Sequence, residues 1–294
     1  MRTRTIGRLR LWPSMARRRP PRRSNIGARL LPAFTARIAY VWTPPFASAE
    51  LRRRLLRRAG NLNELIALVE REGASEAERL AADGVTLALA AGWAAEPLIH
   101  RSYAGEGLEL ARLAEQEDVT ALVLGSRGLS GARAILGSTS DAAVHYSPVP
   151  VLVVPQPLLV EERDAAASGP VLVGHDGSDG ARAALVAATS FFTGRDLIVA
   201  TVADEPIGAD ELNQAHAVGA ETVSLEPIGV RDSARAVADA LARCAAQRGA
   251  AVIAVGSRGR SPVREILLGS VATAVLHHAH RPVLAVPRGS RLGS

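Results

Sequence analysis

Four residues in the C-terminal third, Gly256, Gly259, Gly269 and Ser270, have the types and spacing of an anion cradle: two residues part the first glycines and nine part Gly259 from Gly269. Glycine leaves its amide N–H unscreened and its backbone open to positive φ, so successive glycines can turn several N–H groups toward one anion. A Gly-Ser pair at a helix start adds a further amide and a hydroxyl. Apolar runs at 251–255 and 282–286 flank the motif, which reads as strand, glycine turn, helix and strand. Asp176 stands just beyond another apolar run, 171–174, within the stretch HDGS. A carboxylate at a strand end is placed to accept hydrogen bonds from a base or to help hold a metal ion. In an open parallel sheet, ligands sit beyond the carboxyl ends of strands where the strand order reverses, which brings Asp176 beside Gly256 and Gly259.

Other chemistries fit less well. All 35 basic residues are arginine, and the absence of lysine excludes a Walker P-loop, a Schiff-base lysine and a lysine general base. His175, Asp176 and Ser178 invite comparison with a hydrolase triad, but neither GHDGSDG nor GSRGLSG has the Gly-x-Ser-x-Gly elbow. His277, His278 and His280 cluster near a helix end, where adjacent histidines point to different faces and make a poor metal site. Arg127 and Arg258, inside the glycine loops, either pair with phosphate or face solvent. Cys244 cannot form an intrachain disulfide and reads as a small core residue.

An earlier copy of the motif sets the architecture. Gly125, Gly128, Gly137 and Ser138 repeat the pattern 131 residues before Gly256, with eight residues instead of nine between Gly128 and Gly137. PVLVVP at 150–155 repeats as PVLAVP at 282–287. A repeat of this length is a domain and not a solenoid unit. The glycine spacing, the strand before it and the closing PVLxVP, each present twice, closely resemble the universal stress protein family, here in tandem, within the wider adenine nucleotide alpha hydrolase-like group. The resemblance implies an ATP site, magnesium being a possible companion ion. Adenine would lie near Asp176 and Val202, and the phosphates against Gly256, Gly259, Gly269 and Ser270. In the first half it carries Gly125, Gly128, Gly137 and Ser138, but no residue there matches the aspartate. It also implies a stress-response regulator that acts through nucleotide-dependent contacts with a protein partner. The alternatives are a scaffold of the same fold that binds no nucleotide and, with less support because no general base is in view, an adenylyl-cleaving enzyme. No catalytic residue is assigned, and at most weak ATP hydrolysis is expected.

The elements that must position these residues alternate strand and helix, which argues for α/β architecture: two tandem, open, mostly parallel five-stranded sheets with helices on both faces. The expected division is an Arg/Pro-rich disordered segment over 1–25, a first domain over 26–155, a linker over 156–169, a second domain over 170–288 and a tail over 289–294. Residues 1–37 hold eleven arginines and no acid, so the formal charge of +6 leaves the rest at 6 − 11 = −5. Arginine-rich arms gain from counterion release on nucleic acid or acidic lipid; the bland reading of a solvated segment is preferred, and no nucleic-acid partner is expected. No apolar run is long enough to span a membrane and no secretory signal is legible, so a cytoplasmic protein is expected. The first domain is expected to lack its central first strand, because the local substitute, residues 5–12, would bury Arg8 and Arg10 in a strand covered on both faces. From 47 to 91 two packing helices are read, the second capped by Ser75. The prolines that flank 151–154 and 283–286 mark last strands, which can pair with each other as an intramolecular pseudo-dimer. A homodimer would follow if the first half exposes a gap.

Overall fold

A computed structural model describes residues 5–9, 25–42, 53, 55–103, 105–116, 119–126, 136–202, 209–227, 233–257 and 268–289. In the first half the elements run β1 (Thr5–Leu9), α1 (Asn25–Leu30), β2 (Thr35–Trp42), α2 (Leu62–Ala90), β3 (Ala95–Arg101), α3 (Glu106–Gln116), β4 (Ala121–Gly125), α4 (Ser138–Tyr146) and β5 (Val151–Val154). α5 (Val160–Ser168) connects the halves. The second half continues with β6 (Val171–Gly174), α6 (Asp179–Phe191), β7 (Leu197–Val202), α7 (Ala209–Ala217), β8 (Glu221–Leu225), α8 (Ala234–Gln247), β9 (Val252–Gly256), α9 (Ser270–His278) and β10 (Val283–Val286).

Ten strands form one sheet in the order β3-β2-β1-β4-β5-β10-β9-β6-β7-β8. Within each half every pairing is parallel. The seam is antiparallel: Val283, Leu284 and Ala285 face Val153, Leu152 and Val151. The last strands therefore pair as expected, and the pseudo-dimer lies within one chain. Both are buried along their length, as befits apolar runs covered by helices on each face. One core layer contains Ile26, Leu31 and Phe34 together with Ala184, Ala188 and Phe191, and the opposite layer contains Leu110, Leu122 and Val144 together with Leu241, Ile253 and Val275. Each layer crosses the seam. Phe34 meets Phe191 edge to face with centroids 5.6 Å apart.

Two expectations need correction. The centre of the first sheet is filled, not empty: Thr5–Leu9 pairs with β2 on one side and β4 on the other. The backbone groups of those neighbours need partners, and only Arg8 of the two arginines falls within the five-residue strand. The segment read as disordered therefore holds a strand, although most of it lies outside the described residues, and the gap invoked for a homodimer is closed. Of the helix that follows, the described part is Asn25–Leu30, six residues, where α6 has thirteen. Second, α2 is one continuous helix of 29 residues with Ser75 in its interior, capped by Asn61, whose Oδ1 accepts from the Glu64 N–H at 2.9 Å. Gly73 and Gly84 allow it to lie on the sheet: a Cβ would stand 3.0 Å from the Trp42 ring and 2.7 Å from Ile38 Cγ2. Between the halves stands α5, whose start is tied by the Leu159 N–H donating to Glu162 Oε2 at 2.6 Å.

Candidate functional site

The strand order reverses between β6 and β9, since the chain steps outward from β6 to β8 and then crosses back to β9 and β10. At the carboxyl ends of these strands lies a cavity of about 240 Å³. Ala200 and Val202 of β7, Gly174 of β6 with His175 and Asp176 beyond it, and Val255 and Gly256 of β9 form its floor. Val237 and Leu241 of α8 form one wall, and Gly269, Ser270, Val271 and Ala272 at the start of α9 form the rim. Asp176, Val202, Gly256, Gly269 and Ser270 thus share one lining. Gly259, Gly128, Arg127 and Arg258 lie outside the described residues.

The loop after β6 is fixed by its own polar groups. The Asp176 carboxylate accepts from the Ser178 N–H at 3.1 Å, and Ser178 Oγ caps α6 by accepting from the Ala181 N–H at 3.2 Å. Gly177 has φ 78°, so the turn between them calls for glycine. His175 is buried, and its Nδ1 accepts from the Gly177 N–H at 3.2 Å, which places the proton of the neutral ring on Nε2. Asp176 itself is exposed. Beside it Asp179 pairs with Arg182 and Arg288, and these arginines hold its carboxyl below the usual range.

Two details revise the chemistry assigned to the glycines. Gly256 does not adopt positive φ; a Cβ there would stand 2.6 Å from the Gly180 carbonyl oxygen and 2.8 Å from its Cα, so close approach of α6 calls for glycine. The Gly269 N–H is not bare either, because it donates to the Ser257 carbonyl at 2.5 Å. Gly269 is the extended N-cap of α9, φ −73° and ψ 154°. The N–H groups left over at a helix start are those of the first turn, here Ser270, Val271 and Ala272, and with the helix dipole they favour an anion.

The first half repeats the frame of the second at its described residues. The Gly137 N–H donates to the Ser126 carbonyl at 2.8 Å, as Gly269 does to Ser257, and Gly137 likewise caps α4 in extended conformation. Gly125 ends β4, and its carbonyl accepts from Ser140 Oγ at 2.7 Å. Ser138 opens α4.

Val237, Leu241 and His175 were not singled out from sequence as lining residues. Two apolar residues four apart on a helix look like any core stripe, and only their place opposite Gly174, where a Cβ would meet Leu241 Cδ1 at 3.1 Å, marks the wall. Among the described residues no group of three or more His, Cys, Asp or Glu side chains is arranged to hold a metal ion, and the histidines near the end of α9 form no such group. No described helix is long and apolar enough to cross a membrane. Cys244 is buried, and burial pushes its thiol up, away from reactivity.

A doubly wound sheet with a cavity at its switch point defines the open α/β class, and comparison with known proteins narrows it. The model of the universal stress protein family matches residues 35–155 and again 168–287, so the chain belongs to that family, in tandem form, within the adenine nucleotide alpha hydrolase-like superfamily. A universal stress protein of Archaeoglobus fulgidus superposes with a TM-score of 0.68 at 22% identity, over 96% of this chain and 98% of that one. A putative universal stress protein of Pseudomonas aeruginosa does so at 0.56 and 15% identity, over 97% and 93%. At these identities the likeness shows the fold. The universal stress protein Slr1101 of Synechocystis is 58% identical over 36 residues, 12% of this chain and 33% of that relative's length.

Proposed function

We propose that the second half binds an adenine nucleotide, ATP by preference, and that the chain acts as a stress-response regulator whose contacts with a protein partner depend on that occupancy. The reading rests on one observation: Asp176, Val202, Gly256, Gly269 and Ser270 line a single cavity at the switch point. Its volume of about 240 Å³ lies just under the usual range for small-molecule pockets, room for a base with the charged tail at the mouth. The apolar wall of Val237 and Leu241 and the floor at Val202 suit the faces of a purine, and Asp176 suits its hydrogen-bonding edge. Phosphates fall to the first turn of α9. Magnesium would be carried by phosphate oxygens with Asp176 as at most one protein ligand, the usual sparse coordination of this ion.

Calorimetry with ATP tests this. The wild type binds, and Asp176→Ala weakens binding about tenfold or more, the loss expected for a charged hydrogen-bonding group. Absence of heat, and of nucleotide in mass spectra of the purified protein, would sink the reading. One observation favours a second one, a scaffold of the same fold without ligand: Gly256 has a packing reason to be glycine in its contact with Gly180. That reading predicts an unchanged partner set whether or not ATP is present.

A further inference from the structure

The halves differ most where their cradles should be alike. The helices before the glycines register without a gap: Leu241, Arg243, Ala245 and Gln247 stand 131 residues after Leu110, Arg112, Ala114 and Gln116. The ladders agree, since β9 pairs with β6 through Val252 and Val171, and β4 pairs with β1 through Ala121 and Ile6. On this register Val237, in the apolar wall, corresponds to Glu106; past the glycine loop, which is one residue shorter in the first half, the offset is 132, so that Val271, in the first turn of α9, corresponds to Thr139 in the first turn of α4. Counting in sequence from Ile6, the residue that corresponds to Asp176 is Leu11, which lies outside the described residues. By sequence the first half has no carboxylate at the position of Asp176, and on the helix it has gained one.

That gained carboxylate is held. Thr139 Oγ1 donates to Glu106 Oε2 at 3.3 Å. Next to it, Gly107 brings α3 so near α4 that a Cβ would stand 2.7 Å from that of Ala142. Glu106 is half-buried, and burial pushes its carboxyl above the ordinary range while the Thr139 bond draws it back. A negative group beside the first turn of α4 meets the positive end of that helix, which elsewhere attracts a phosphate.

We propose that Glu106 is the first half's own anion: its carboxylate takes the place at the start of α4 that a phosphate takes at the start of α9, so one half alone accepts nucleotide phosphates. This rests on reading the second cradle as a phosphate site. Two like charges a few ångströms apart in a half-buried crevice repel strongly, so glutamate and phosphate exclude each other.

Hydrogen exchange on the full chain, read by mass spectrometry with pyrophosphate as the probe, tests Glu106 directly. In the wild type millimolar pyrophosphate slows exchange at the start of α9 and leaves α4 unchanged. In Glu106→Val, which copies the second half, and in Glu106→Gln, which keeps the shape without the charge, it slows exchange at the start of α4 about tenfold. Slowing at α4 in the wild type, or none there in a variant whose thermal unfolding matches the wild type, overturns the proposal. If Glu106→Val does not fold, Glu106→Gln decides alone. Loss of the α9 response refutes the phosphate reading of the second half, while the α4 comparison still decides on Glu106.

Discussion

Gly256 shows how a residue legible in the sequence can owe its identity to a different cause. The spacing picked it out as part of a glycine cradle, but the freedom it supplies is steric: the backbones of Gly256 and Gly180 lie in contact where α6 crosses the end of β9. Gly256→Ala sets a methyl against main chain, which no rotamer relieves, so helix and strand must part. The expected cost is about 1–3 kcal/mol, the range for overpacking, read as a lower urea midpoint with unchanged slope. A variant as stable as the wild type would show that the contact has slack. Asp176 was readable because an exposed carboxylate at the end of an apolar run has no packing reason to be there. Val237 was not, because an apolar helix residue looks the same over a core and over a cavity. Glu106 escaped notice for the opposite reason: a glutamate in the first turn of a helix is ordinary, and only the register with Val237 makes it informative.

At the scale of elements, strands of continuous apolar residues such as β6, β7 and β10 could be read directly, whereas β1 could not. A strand bearing Arg8 and bordered by Arg10 violates the pattern of a central parallel strand, and what places it is the pair of neighbouring strands with backbone groups to satisfy. Contacts between helix ends and distant side chains were also invisible. Arg195, beyond α6, donates through Nη1 to the Gly169 carbonyl at 2.9 Å and through Nη2 to Ala166 at 3.0 Å, Ala167 at 3.1 Å and Arg29 at 3.4 Å. One guanidinium thus caps α5 and reaches α1 of the first half. Burial draws its pKa down from the usual arginine value, but the group stays charged at any working pH. Arg195→Ala should cost about 1.5–3 kcal/mol in urea unfolding, as expected for hydrogen bonds to a charged group, and Arg195→Lys should recover less than half, since an ammonium lacks the planar fork. Full recovery by lysine would mean that charge alone matters. A second tie links the halves through α9: Leu136, next to Gly137, donates its N–H to His277 Nδ1 at 3.4 Å, so the helix that rims the cavity also touches the first half's loop.

For the whole molecule the seam is the decisive feature, and the PVLxVP repeat made it legible. Because Leu284 faces Leu152 at the centre of an antiparallel ladder, with Val283 on Val153 and Ala285 on Val151, the halves meet by an approximate two-fold relation. Each half alone would expose an apolar edge strand and the ends of two core layers, a combination that soluble proteins do not leave open. Residues 168–294 produced by themselves should therefore dimerise through β10, with Leu284 facing its own copy and Val283 facing Ala285. Light scattering should give twice the fragment mass, and Leu284→Arg should return it to a monomer, because the charge would be buried without a partner. The full chain should stay monomeric in the same measurement, since β5 already occupies that edge. A fragment that remains monomeric at high concentration would mean that β10 is protected by something other than β5, and the tandem arrangement would then serve a purpose other than closing the sheet.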